Sequence, residues 1–114
     1  MIIKRGDIVW TDLDPVVGSV QGKSRPCLVV QNNLGNHFSP TTIVAAVTST
    51  PKKEYPFFVK VNHGEGNLPK DSIVMLNQLR TISIQHRISK IMGTVSPETM
   101  RKVDLALKAS LALS

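Results

Sequence analysis

The sequence predicts a mainly β protein, folded as a small, strongly bent barrel or sandwich and finished by a single amphipathic helix. Short β-branched and apolar runs recur between residues 7 and 95, separated by segments containing Gly, Pro, Asn or Lys. Only after Ser96 does the apolar spacing become helical. The length, 114 residues, suits one modest core, so a single domain over residues 1–114 is expected.

The first strand is expected over residues 7–13, ended by Asp14-Pro15, because proline removes a ladder donor. Residues 16–24 hold Gly18 and Gly22 among small and polar side chains and read as an exposed loop able to close over a ligand. Pro26 opens an apolar run to Val30, and residues 42–48 form a second β-branched run after a turn-rich stretch over 35–40; both are expected to be central strands. Further strands are expected at 57–61, 72–76, 79–84 and 90–95, with a turn at 62–67. Ser96-Pro97-Glu98 is an N-terminal helix signal: a favoured cap, proline at the first helical position, and an early carboxylate at the positive end of the dipole. Met100, Val103, Leu107 and Leu111 then follow at helical spacing.

Fourteen Lys and Arg against eight Asp and Glu give a formal charge of +6, which favours a polyanionic partner. The basic residues are scattered, so a folded surface must gather them. Cys27, the single cysteine, lies in the run Cys27-Leu28-Val29-Val30 and reads as a buried packing group, which fits a reducing, cytoplasmic location. No apolar stretch approaches roughly 18 residues, so neither membrane insertion nor secretion is expected.

Arg25 ends the glycine-bearing loop just before an apolar strand, where its backbone is anchored and its side chain can enter a cleft. A guanidinium offers a rigid fork of donors suited to a phosphate that gains charge under attack. Thr48 closes the run Ile43-Val44-Ala45-Ala46-Val47, where a hydroxyl can donate to a phosphate oxygen. Taken alone, an Arg in such a place is more often a surface or salt-bridging residue, and such a Thr a β-prone filler. His37, His63 and His86 lie in separate segments, the acidic residues are dispersed, and no metal or other cofactor is expected.

Read in order, Lys4-Arg5-Gly6-Asp7-Ile8-Val9, Pro15-Val16-Val17-Gly18-Ser19 through Gln21-Gly22, Arg25-Pro26 and Gln31-Asn32 resemble the opening of MazF/PemK toxins. Gly35-Asn36, Phe38-Ser39-Pro40-Thr41, Ile43-Val44-Ala45-Ala46 with Thr48, Lys70-Asp71-Ser72, Gln78 with Arg80-Thr81, and Val103-Asp104 continue the similarity, particularly to the Gram-positive branch. The resemblance covers nearly the whole chain. It implies an SH3-like barrel of the CcdB/MazF type with helices, a homodimer, and metal-independent, sequence-specific cleavage of single-stranded RNA to 2′,3′-cyclic phosphate and 5′-hydroxyl ends. It also implies neutralisation by a MazE-type antitoxin. By that resemblance Arg25 and Thr48 are the catalytic pair, and Ser19, Gln21, Lys23, Asn32, Asn36 and Gln78 fall in regions that contact RNA.

Two positions depart from the family pattern: Val20 and Asn77 stand where relatives often carry Glu. Both are expected to alter RNA preference, and fewer carboxylates mean less repulsion of phosphate. A gyrase-inhibiting toxin resembling CcdB is the main alternative, but that activity needs a tryptophan near the chain end, whereas the only one here is Trp10. A catalytically silent RNA-binding module is the other.

Overall fold

The computed structural model describes residues 1–114. The chain runs β1 (Asp7–Asp12), β2 (Ser24–Val29), α1 (Asn33–Phe38), β3 (Thr41–Thr48), β4 (Phe58–Val61), a 3-10 turn (Glu65–Asn67), β5 (Ser72–Ser83), α2 (Ile84–Arg87), β6 (Ile88–Thr94) and α3 (Pro97–Leu111). The strands form one antiparallel sheet in the order β4-β5-β3-β2-β1-β6. The expected β-rich architecture with a C-terminal helix is present; β4 and β6 remain as edges, so the sheet does not close into a complete barrel.

Strand alternation explains why both faces of this sheet are apolar. Ile8, Leu28, Ala45, Val47 and Val74 join Val103 and Ala106 of α3 in one buried cluster. Their neighbours Val9, Cys27, Val29, Val44, Ala46 and Met75 join Leu13, Ile82 and Ile88 in a second. Burying a Val or Leu side chain contributes about 1.5–3 kcal/mol, so central strands loaded on both sides fix the register firmly.

Helix α3 begins as the sequence predicts, with the Ser96 side chain accepting from Thr99 N–H at 3.1 Å and Pro97 in the first turn. Glu65 adds an anchor from outside the helix, since its Oε2 accepts from Ser96 N–H at 3.0 Å and from the Thr99 hydroxyl at 2.5 Å. Partial burial raises the Glu65 pKa, but these hydrogen bonds outweigh it and hold the carboxyl below its usual range. On the helix flank, Arg5 donates to Val30 O at 2.8 Å and pairs with Asp104 at 2.7 Å, tying α3 to the end of β2. The apolar stripe is shorter than its spacing suggests: Val103 is fully buried, whereas Leu111 lies half exposed at the helix end.

Three local expectations change. The turn-rich stretch 35–40 contains most of α1, capped by Asn32, whose Oδ1 accepts from Gly35 N–H at 2.7 Å. The expected strands at 72–76 and 79–84 are one strand, β5, interrupted opposite β3, because Ala45 pairs with Leu79 while Ala46 pairs with Met75. Three residues, Leu76, Asn77 and Gln78, are therefore extra on the β5 side. Strand β2 starts at Ser24 and includes Arg25. No helix is long and apolar enough to cross a membrane.

At Gly93 the β6 backbone meets the 3-10 turn so closely that an added Cβ would lie 2.7 Å from the Gly66 carbonyl carbon. Backbone cannot yield as a flexible side chain does. Gly93→Ala is expected to lower the unfolding free energy by about 1–3 kcal/mol in urea denaturation, with an unchanged m value.

Candidate active site

The β2–β3 ladder determines where Arg25 and Thr48 fall. Cys27 opposes Ala46, Leu28 opposes Ala45, and Val29 opposes Val44. Two more steps of that register place Arg25 across from Thr48. Val30 N–H donates to Ile43 O at 2.9 Å, so the hydrogen-bonded positions are Val30, Leu28 and, next in line, Pro26 opposite Val47. Pro26 has no N–H. The ladder therefore stops there, and the Val47 carbonyl accepts instead from Arg25 Nη1 at 3.3 Å.

Beyond that point the strands frame a cleft of about 330 Å³, lined by Ser24, Arg25, Pro26, Val47, Thr48, Ser49 and Thr50, with Trp10 of β1 and Leu68, Pro69, Lys70 and Ser72 across from them. Arg25 Nε donates to Gly22 O at 3.0 Å, so two carbonyls hold the guanidinium. Three of its five N–H bonds remain for another acceptor. Thr48 is 7% exposed, and its Oγ1 accepts from Thr50 N–H at 3.2 Å, which leaves the hydroxyl proton free to donate. A fixed cation and an oriented hydroxyl on adjacent strands can together hold a phosphate and stabilise charge arising on it.

Beside this cleft, the loop over residues 14–23 lies on β3 and β5. Leu13, Val16, Val17, Val20, Val44, Ala46 and Leu79 line the space beneath it together with Gln21, Gln78 and Arg80. Gln21 N–H donates to Gln78 Oε1 at 3.3 Å, which unites two of the predicted RNA contacts, and Arg80 donates to the Leu13 carbonyl. Arg25 ties the loop to β3, since its Gly22 partner belongs to the loop and its Val47 partner to β3. Val20 is half exposed among the valines of the loop, so the departure from Glu leaves an apolar surface there.

The other predicted contacts are dispersed. Ser19 and Lys23 are exposed on the same loop and line neither cleft; Lys23 takes a left-handed φ of 61° and donates its N–H to Asp14 Oδ1 at 2.7 Å. Asn32 is the cap of α1. Asn36 is buried in a network in which its Oδ1 accepts from the Thr42 hydroxyl at 2.6 Å and from Gln31 Nε2 at 3.0 Å. Neither asparagine borders either cleft. None of the three histidines does so, and no three His, Cys, Asp or Glu side chains converge as metal ligands. Arg80 and Lys70 are functional candidates the sequence reading passed over. The Gln78-x-Arg80 spacing was the available signal for the first, because alternate residues of a strand share a face; nothing local marks Lys70.

Cys27 is fully buried on the strand face between these groups. Burial pushes its thiol from 9.0 up to about 12, against smaller opposing effects of the Thr11 hydrogen bond and the charges of Arg25 and Arg80. It is a neutral packing group and no nucleophile, as its sequence context suggests.

The same architecture is found among solved toxins and nucleases. MazF from Deinococcus radiodurans superposes with a TM-score of 0.85 at 24% identity, covering 99% of both chains. An endoribonuclease solved with its cognate antitoxin from Mycobacterial species gives 0.81 at 24% identity, covering 98% of this chain and 97% of that one. Sequence carries the relationship further. Residues 4–111 match the family described as PemK-like, MazF-like toxin of type II toxin-antitoxin system. The chain is also 49% identical over 114 residues to Endoribonuclease EndoA of Bacillus subtilis (strain 168), covering 99% of this chain and 97% of that protein. The chain belongs to the PemK-like, MazF-like toxin family.

The Cys27 thiol sets a pH dependence. Its folded pKa is raised, so its contribution to stability is complete below the ordinary value of 9.0 and is lost as pH rises toward about 12. Unfolding free energies from urea denaturation should accordingly fall between pH 8 and pH 10 by more in the native sequence than in Cys27→Val. An equal fall in both would contradict a buried neutral thiol.

Proposed function

We propose that this chain is a single-domain toxin endoribonuclease that cleaves single-stranded RNA at short sequence motifs without a metal ion. The observation that carries the proposal is the meeting of Arg25 and Thr48 across one strand register in one cleft. In the reaction, the ribose 2′-oxygen attacks the adjacent phosphorus, and the bond to the 5′-oxygen breaks. The 2′-hydroxyl loses its proton, the leaving 5′-oxygen gains one, and the products are a 2′,3′-cyclic phosphate and a 5′-hydroxyl.

Arg25 stabilises the charge on the equatorial oxygens and takes part in moving the proton, while Thr48 donates to a phosphate oxygen. Gln21, Gln78 and Arg80, which border the space beneath the loop, read the edge of a splayed base, and Ser19 and Lys23 of the same loop contact the strand. Val20 brings no carboxylate to oppose phosphate, so the base preference differs from that of relatives with Glu there. Asn32 and Asn36, engaged in capping and in the buried network, support the fold of this surface.

The same reading makes the protein cytoplasmic, homodimeric and neutralised by a MazE-type antitoxin. Its support is family membership, together with toxins of this fold solved with antitoxins, including the Deinococcus radiodurans MazE-MazF complex. The gyrase-inhibiting alternative finds no support among these relatives.

Incubation with a long mixed-sequence RNA in EDTA should yield discrete cuts bearing 5′-hydroxyl ends; intact RNA would overturn the proposal in favour of a silent binding module. Arg25→Ala and Thr48→Ala should each lower kcat/KM by about 100-fold or more while circular dichroism and the elution volume stay unchanged. Pro26→Ala restores a backbone donor to Val47 and competes with Arg25 for that carbonyl. It should leave the melting temperature unchanged or higher, yet slow cleavage by about tenfold through kcat.

A further inference from the structure

A second surface adjoins the cleft and has no part in the chemistry above. The Arg25–Thr48 cleft shares Ser49, Thr50 and Ser72 with a shallow groove running along β4. That groove in turn shares Lys60 and Ile73 with a cavity of about 380 Å³ between the segment joining β3 to β4 and helix α3. One continuous path therefore leads from the cleft to the far edge of the sheet.

Its chemistry changes along the way. Lys52, Lys53, Lys60 and Lys102 border the far cavity. Lys60 is paired with Glu54 at 2.6 Å, and Asp71 in the groove with His63 at 3.4 Å, whereas Lys52, Lys53 and Lys102 form no ion pair. Beside them Tyr55 is 47% exposed and lies on Phe57, with ring centroids 5.1 Å apart and planes inclined by 7°, while Phe58 meets it edge-on at 5.5 Å. A propped, half-exposed ring among unpaired lysines suits a nucleotide, whose base stacks while its phosphate meets the ammonium groups.

We propose that this path is a track for the single-stranded RNA flanking the cut site, with Lys52, Lys53 and Lys102 holding phosphates and Tyr55 stacking a base. The inference rests on the RNA-cleaving reading of the adjoining cleft. An acidic protein segment would also satisfy lysines, but the continuity with a phosphate-holding cleft and the stacked ring favour the nucleic acid.

The track is tested by binding fluorescent 2′-O-methyl RNA, which lacks the attacking hydroxyl, to the full chain. A probe of about six nucleotides spans the cleft and one of about sixteen extends beyond it. The unmodified chain should bind the longer probe more tightly. The triple substitution Lys52→Ala, Lys53→Ala, Lys102→Ala should weaken only that probe, by about tenfold, and flatten its log Kd against log salt slope by about 2. Arginine at the three positions should preserve both values, and Tyr55→Ala should weaken the long probe by about fivefold or more. Equal weakening of both probes would overturn the proposal. So would an undiminished affinity for the long probe, which would assign the lysines to an acidic protein partner. Because the probe cannot be cut, its binding reports on the track even if the cleavage assay in EDTA fails.

Discussion

A missing hydrogen-bond donor organises this molecule's candidate site. Pro26 occupies a position in β2 that would otherwise donate to Val47, and its absent N–H ends the β2–β3 ladder one residue before Arg25 and Thr48. The freed carbonyl is then available to a side chain. Arg25 takes it with one arm and the Gly22 carbonyl with another, so a single proline both opens the cleft and supplies a mooring for the cation in it. On its other side β2 loses nothing, since Trp10 opposite Pro26 is a non-hydrogen-bonded partner. Leu13 N–H to Lys23 O, at 2.9 Å, sets that parity.

The central strands and the helix packed on them make this arrangement rigid. Apolar side chains on both faces of β1, β2 and β3 prevent a register slip, which would exchange the two clusters. Helix α3 covers one face and is fastened at its start by Glu65 and along its flank by Arg5. Arg25 and Thr48 therefore project from a stiff support, while the loop that carries Gln21 is tied by a few hydrogen bonds, among them Lys23 N–H to Asp14, Gln21 N–H to Gln78 and Arg25 to Gly22. A stiffly held Arg and Thr beside a lightly tied loop suits the proposed cleavage of a flexible strand.

The parts of this fold legible in the sequence were those with strong local chemistry. The Ser96-Pro97-Glu98 signal places the start of α3, and β-branched runs locate β1, β3 and β4 to within a residue or so. What escaped was short or depended on partners. Six residues, one of them Gly35, are too few to display helical periodicity, so α1 looks like a turn and its cap Asn32 like a free polar group. The continuity of β5 is invisible because its pairing with β3 is interrupted where Asn77 and Gln78 break the apolar run. Arg25 and Thr48 became a pair only through resemblance, since nothing in either segment announces that the 22 intervening residues bring them face to face. Asn36 shows the reverse limit: a residue type that suits base reading is here saturated by Gln31 and Thr42.

The interruption of β5 has a consequence for how this molecule can diversify. Leu76, Asn77 and Gln78 are surplus to the β3 ladder, yet Gln78 sits beside the loop and meets Gln21. Asn77 and Gln78 therefore carry little of the pairing duty that constrains the strand on either side, while Gln78 borders the space beneath the loop. Substitutions there can reshape the surface beside the loop without moving Arg25 or Thr48, so the proposed base reading can change while the proposed reaction centre stays in place.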